Sequence, residues 1–430
     1  MKKIILILKL VLRSKFIFKT PEKCDLILFD EMSIHDLSIT LSKYKFFVLQ
    51  TRLESAESKV PLMREIYFSY KILKKIIKNF FKGNLFTVYL ISLIELIKPK
   101  VVITNIDNSL KFSEVAKILE EKTNFIAIQN GPRYDFLDWD YLHRTKKMKY
   151  NRLKKFYIPN FLCFGDYDRE LYNRFNIPVK NFYPIGNLRL ANYFHYMKTE
   201  NDISEKYNCD ICLIAEVYYP VSSKYELQAI VGITCPKDSD LNSIAKQNSD
   251  VEKGWVDFLK YSIKFCIKHN MKTIIPLKKD KKHAPRTANK EIEFFRRNLN
   301  KEEFDFVQKN IMEKDTKKFT SFRTVMSSKV TISPITTLLR DKLATGGKIL
   351  ACNLTKQDRL NFPINGICSL NNCSYEEFEK RLLEIYSMSQ ADYFSKIDKK
   401  PDYAEKFDKN YSTIDLIREQ LYQRGVRQNY

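Results

Sequence analysis

One pattern recurs along this chain and constrains its fold more than any other feature. A short, unbroken apolar run is followed by a polar cluster and then by a stretch of helical periodicity. Residues 24–29 (CDLILF) end in Asp30 and Glu31, and 44–49 (YKFFVL) end in Gln50, Thr51 and Arg52. Residues 101–104 (VVIT) are followed by Asn105, Asp107, Asn108 and Ser109, and 125–128 (FIAI) by Gln129, Asn130, Gly131, Pro132 and Arg133. Residues 161–164 (FLCF) lead to Gly165 and Asp166, and 182–185 (FYPI) to Gly186, Asn187 and Arg189. An apolar run without alternation suits a strand covered on both faces, and such strands belong to parallel sheets flanked by helices. Repeated strand, polar loop and helix predicts a doubly wound α/β domain whose ligands sit beyond the carboxyl ends of the strands.

Residues 191–207 are polar and lack periodicity, and read as a linker. The pattern then restarts. A strand at 211–215 precedes Glu216, and a strand at 272–277 (KTIIPL) precedes Lys278, Lys279, Lys281, Lys282, His283 and Arg286. Residues 61–81, 251–269, 290–299, 302–311, 375–386 and 413–422 carry helical spacing. The stretch 330–353, VTISPITTLLRDKLATGGKILACN, reads as strand, hydroxyl-rich loop, helix, glycine stop and strand. A chain of 430 residues is long enough for two domains. The expectation is α/β, with two Rossmann-like domains facing across a cleft in the GT-B manner. Residues 1–200 form the N-terminal, acceptor-side domain and 205–380 the C-terminal, donor-side domain. Residues 381–430 form a helical tail packing back on the first domain.

The formal charge is +23, from 74 Lys and Arg against 51 Asp and Glu, which favours partners bearing negative charge. No zinc-finger spacing or RNA-binding aromatic signature accompanies it, so nucleic acid is not an expected partner. The nine cysteines form no framework, and Cys209 and Cys212 lie within an apolar strand, so buried thiols in a reducing cytosol are expected. Asp166-Tyr167-Asp168 opens a helix and reads as first-turn acid, not as a metal motif. No metal and no cofactor beyond a substrate is expected. The apolar start, 1–19, is interrupted by Lys9 and Arg13 and lacks a small-residue cleavage site. It fits neither a signal peptide nor a membrane span, leaving an interfacial helix or a buried element. The amphipathic segment 71–82 suits docking on an anionic membrane surface. The expected location is cytoplasmic, peripheral at the inner face of the cell membrane.

Five strings occur in order: VLQTRLES (48–55), KPKVVITNIDNSLKF (98–112), FIAIQNGPR (125–133), FLCFGDYDRELYNRF (161–175) and YPIGNLRL (183–190). Together they resemble the bacterial surface carbohydrate biosynthesis proteins, which are O-antigen or capsule glycosyltransferases. TISPITTLLRDKLATGGKIL is similar to the family's C-terminal S-T-L-x-x-E-x-L-A-x-G-x-K element. The resemblance implies a metal-independent GT-B glycosyltransferase that moves a sugar from a nucleotide-sugar donor to a growing, lipid-linked glycan. Thr336 and Thr337 stand where the family has Ser and Thr. Asp341 stands where it has the Glu that commonly binds the donor ribose, one methylene shorter.

A helix N-terminus after a parallel strand can hold the donor phosphates, with Ser333, Thr336 and Thr337 at its entrance and Lys278, Lys279 and Arg286 neutralising charge. The plainer alternatives are helix capping and a solvated basic loop. Glycosyl transfer needs a carboxylate to deprotonate the acceptor. Asp107 is the first candidate and Glu31 the next, with turn-capping the plain alternative for Asp107. Asn108, Gln129, Asn130, Arg133 and Arg189 are the acceptor or cleft candidates, against a tight Gly-Pro turn satisfied by its own amides. A UDP-sugar 2-epimerase, a polyol-phosphate transferase or a non-catalytic scaffold of a polysaccharide assembly complex are the other functions open to this pattern.

Overall fold

The computed structural model describes residues 14–51, 64–133, 156–199, 205–217, 241–278, 280–282 and 285–428. They divide into two units. The first holds the described residues up to Asn130, those from Phe156 to Asn192 and those from Phe407 onward; the second holds the rest. The division at Asn192 falls inside the helix Leu188–Thr199, so the expected linker is helical over most of its described part.

Fourteen strands are present among the described residues. The first unit contains β1 (Ser14–Ile17), β2 (Leu26–Phe29), β3 (Phe46–Leu49), β4 (Arg64–Tyr67), β5 (Val101–Thr104), β6 (Asn124–Ile128), β7 (Ile158–Cys163) and β8 (Val179–Pro184). Six of them form one sheet in the order β3-β2-β5-β6-β7-β8, parallel throughout. β2, β5 and β7 are buried along their whole length, as unbroken apolar runs require. β1 and β4 form a separate two-stranded parallel sheet. The segment 61–81 is therefore not one helix. Its described part begins as β4, and the helix starts at Tyr70, where the Ser69 hydroxyl accepts from the Ile72 N–H.

The second unit holds β9 (Cys209–Leu213), β10 (Thr273–Pro276), β11 (Ile311–Met312), β12 (Ser328–Ser333), β13 (Lys348–Asn353) and β14 (Ser369–Asn371). Their order is β11-β10-β9-β12-β13-β14, again all parallel. β11 and β14 were not predicted, because edge strands of two and three residues carry too little pattern to be read. In each sheet the chain builds outward in one direction and then restarts on the other side of its first strand. That reversal lies between β2 and β5 in the first unit and between β9 and β12 in the second.

The C-terminal helix Thr413–Gln423 packs on the first unit's sheet. Ile414, Ile417 and Leu421, at helical spacing, join the core of Leu26, Leu28, Val101 and Ile103. Arg418 fixes it by donating from Nε to the Thr40 carbonyl at 3.1 Å and from Nη2 to the Ile39 carbonyl at 2.9 Å. Tyr375–Ser387, by contrast, packs in the second unit, where Phe378, Leu382 and Ile385 enter the core.

The long helix Leu241–Lys268 passes close to the backbone of Leu354 and Thr355 at Gly254. A β-carbon there would lie 2.5 Å from the Leu354 carbonyl carbon and the Thr355 Cα. Backbone cannot step aside as a flexible side chain can. Gly254→Ala is therefore expected to destabilise the protein by about 1–3 kcal/mol through overpacking, despite alanine's better helix propensity. Chemical denaturation checks this, and a stabilised variant would contradict the close approach.

Candidate functional site

In doubly wound sheets ligands bind where the strand order reverses, since the crossovers on either side leave in opposite directions. Each unit carries polar side chains at that place.

In the second unit, β12 ends at Ser333 and the helix Thr337–Ala344 follows. Thr336 occupies the N-cap with extended backbone, but its side chain makes no capping bond. The Leu339 N–H turns back to the Thr336 carbonyl at 3.3 Å, leaving the Thr337 and Leu338 amides uncapped at the positive end of the helix dipole. Ser333 is fully buried, and its hydroxyl finds no hydrogen-bond partner among the described residues. A buried hydroxyl without a partner is costly. Here it sits at the foot of an uncapped helix entrance. Thr336 and Thr337 are half-buried beside it.

The far end of this helix is held firmly. Gly346, at φ +87°, donates to the Leu343 carbonyl at 3.0 Å, and Gly347 donates to Lys342 at 2.8 Å, closing a Schellman turn. The Lys342 ammonium is buried and donates to the carbonyls of Ser328 at 2.9 Å and Met326 at 3.1 Å. Asp341, expected to contact the donor, has no exposed surface at all. It is part of the packed body of the unit.

At the ends of β9 and β10, Glu216 is buried and its carboxylate is bound by the Lys278 ammonium. The backbone N–H of Lys278 donates to both carboxylate oxygens of Glu291, each at 3.1 Å, from the helix Pro285–Asn298. Lys278 is therefore a paired cation, with its side chain half exposed. Lys279 lies outside the described residues, and of Arg286 only its place in that helix is described. Glu216 and Glu291 were not among the expected site residues. A carboxylate after a strand and one inside a helix carry no signal that separates a buried ion pair from a solvated face.

In the first unit, Asp107 is buried at the end of β5. It does not cap the next helix; Ser109 does that, accepting from the Phe112 N–H at 3.2 Å. Asp107 instead accepts from the Asn130 N–H at 3.3 Å and faces the Tyr172 hydroxyl at 3.5 Å, tying β5 to the end of β6. Gln129 is also a brace: its Nε2 donates to Asp168 at 2.9 Å and its Oε1 accepts from the Phe164 N–H at 2.9 Å. Asn108 is half-buried beside Asp107, and Arg133, which belongs to the second unit, is buried at the end of the described segment.

Beside the reversal, Glu31 accepts from the Thr51 N–H through Oε2 at 2.9 Å, while its Oε1 is buried without a partner among the described residues. Arg189 reaches across to Asp36, donating from Nε at 3.1 Å and Nη2 at 2.9 Å, and Asn105 donates to the same carboxylate at 2.6 Å. Asp36 was missed in the sequence, where it is one more polar residue inside a helix. Among the described residues no three His, Cys, Asp or Glu gather to hold a metal ion, and no helix is long and apolar enough to cross a membrane.

No family model matches this sequence, and no curated protein does. Solved structures do. The chain is similar to the UDP-N-acetylglucosamine 2-epimerase of Rickettsia bellii, at 13% identity and a TM-score of 0.50 over 93% of this chain and 96% of that one. It is also similar to UDP-GlcNAc 2-epimerase from Neisseria meningitidis bound to UDP-GlcNAc, at 11% identity and a TM-score of 0.46 over 93% and 98%. A third likeness is to the wall teichoic acid polymerase TagF, at 10% and 0.43 over 94% and 89%. The fold class is thereby settled as the GT-B type, built on two six-stranded parallel sheets.

Two tests follow from this geometry. Ser333→Ala removes an unpaired buried hydroxyl and is expected to stabilise the ligand-free protein by about 1 kcal/mol, whereas Gln129→Ala strands two partners and should cost about 2–3 kcal/mol. Equal effects in urea melts would show that Ser333 is satisfied after all. Burial pushes the Lys342 ammonium down from its ordinary 10.5 to about 8. Between these values the unfolded chain keeps a proton that the folded chain gives up, so stability should rise with pH across this window. Lys342→Met should remove that part of the rise, and identical pH slopes for the two proteins would refute it.

Proposed function

We propose that the chain is an enzyme of nucleotide sugars, a glycosyltransferase that adds a sugar to a growing surface polysaccharide of the O-antigen or capsule kind. The observation that carries the reading is the Ser333 hydroxyl, buried and unpartnered, at an uncapped helix N-terminus on the strand-order reversal of the second unit. A donor pyrophosphate supplies what that entrance lacks: acceptor oxygens for the Ser333 hydroxyl and for the first-turn amides, and negative charge at the dipole's positive end. The fold shared with the Rickettsia bellii epimerase supports the substrate class, since that protein's name is that of an enzyme of a UDP-sugar. Lys278 joins by exchanging Glu216 for phosphate, and Thr336 and Thr337 line the entrance. Lys279 and Arg286 are the further cations assigned to this side.

On the first unit, Glu31 is the stronger candidate base. It keeps an unengaged buried oxygen, while Asp107 is drawn into bracing two strands. A base must accept a proton from the attacking hydroxyl, and an oxygen without a donor has that capacity. Asn108, Asn130, Arg133 and Arg189 remain the acceptor-side residues, with a lipid-linked glycan as the acceptor. Asp341, enclosed like Ser333 in the second unit's packing, stays the residue that the resemblance assigns to the donor ribose.

The alternative on the same scaffold is epimerisation of the free nucleotide sugar. It is separated by incubating the protein with donor alone: inversion at the sugar's C2 without any acceptor selects the epimerase. For the site itself, UDP-, GDP-, CDP- and dTDP-sugars are screened by thermal shift. One nucleotide class is expected to raise the melting temperature. Ser333→Ala should weaken that binding by about tenfold or more, the loss of one hydrogen bond to a charged group. A panel without any shift removes the nucleotide-sugar reading, and unchanged affinity in Ser333→Ala removes this site.

A further inference from the structure

Far from both strand-order reversals in sequence, the helix Tyr70–Asn79 presents a surface that the first unit's own packing does not explain. Its buried residues are Ile72 and Asn79. Tyr70, Leu73 and Ile77, spaced three and four apart, share the opposite side and are exposed, Ile77 by 67%. The apolar run continues through Phe80, Phe81 and Leu85, with Phe81 96% exposed and Leu85 68%. At the other end, Phe68 lies just before the helix and meets Phe18 edge-on at 6.3 Å, with Phe18 itself 79% exposed. A monomeric protein seldom leaves so many large apolar side chains contiguous in water.

Charge accompanies this stripe. Residues 70–85 contain five lysines and no acidic residue. Glu95 takes two of them, Lys75 at 3.0 Å and Lys82 at 3.6 Å. Lys71, Lys74 and Lys78 fall on the strip next to the exposed apolar one and have no acidic partner among the described residues. A helix with one side seated on its domain, one side apolar and exposed, and a lysine strip between them matches the geometry of an interfacial helix.

We propose that this face, Tyr70–Asn79 with Phe80, Phe81 and Leu85, docks on an anionic lipid membrane. The apolar side chains enter the boundary between headgroups and acyl chains, and Lys71, Lys74 and Lys78 meet the headgroup phosphates. The other occupants fit the observations less well. A second copy would bring the same lysines against each other. A protein partner's interface core is depleted in lysine. A nucleic acid would meet the lysines and stack on Tyr70, Phe80 and Phe81, but it would leave Leu73, Ile77 and Leu85 in water. The inference is independent of the nucleotide-sugar reading, because none of these residues belongs to that site.

The test is co-sedimentation of the full chain with vesicles of phosphatidylcholine alone or mixed with phosphatidylglycerol. The protein is expected to pellet with the anionic vesicles and to be released progressively by salt. Changing Lys71, Lys74 and Lys78 together to Gln should lower partitioning by roughly a hundredfold, about fivefold per lysine. Changing Ile77 and Phe81 to Glu should abolish it at every salt concentration. Both variants should keep the wild-type melting temperature, since the altered side chains are exposed. Wild-type protein that stays in the supernatant with both vesicle types overturns the proposal, whatever else it binds and even if it self-associates. So does full binding by the Ile77→Glu, Phe81→Glu variant.

Discussion

A parallel strand covered on both faces can carry almost nothing polar except its own backbone, and this requirement organises both units. β2, β5 and β7 are buried from end to end, and their amides are satisfied by neighbouring strands. Polar side chains are thereby forced to the places where strands stop. At most strand ends a crossover covers them. At the reversal of strand order the crossovers diverge, and the polar ends of β2 and β5, and of β9 and β12, lie where doubly wound sheets commonly bind ligands.

Most of those polar groups nevertheless satisfy each other. Gln129 binds Asp168 and the Phe164 amide, Arg189 and Asn105 share Asp36, and Glu216 is held by Lys278. Such residues look functional by type and position, yet their hydrogen bonds already hold strand ends in register. What separates a binding atom from a bracing one is an unmet valence in a buried place. Ser333 Oγ and Glu31 Oε1 are among the buried atoms with that property, as is Asn105 Oδ1.

The apolar runs made nearly every central strand legible, and the glycine pair at 346–347 made the end of the helix after β12 legible too. Strand order was not, because a parallel sheet uses the same kind of strand at every central place, and order is decided by which crossovers pack. The short edge strands β11 and β14 escaped for want of length. The site was legible as a place and not as a set of roles. Ser333 and Glu31 stood among the candidates, but nothing in the sequence distinguishes them from Asp107 and Gln129, whose partners lie on strands 20 or more residues away.

Arg340, Asp341 and Lys342 show the same limit at its sharpest. These three consecutive charged residues are all buried, with exposures of 1%, 0% and 5%. Successive residues point about 100° apart, so burial at all three means that this helix is enclosed on most of its circumference. Charges are expensive to bury, and a helix of eight residues gains little from its own propensity. Its position is therefore fixed by the surrounding packing, by the Lys342 bonds to the carbonyls of Met326 and Ser328 and by the Schellman turn behind it. A helix held this way keeps its entrance in a fixed position. For the proposed anion, first-turn amides fixed in this way would leave little of the binding energy to be spent on ordering them. Asp341, the acidic residue that the sequence resemblance places against a ligand, is enclosed in that same packing.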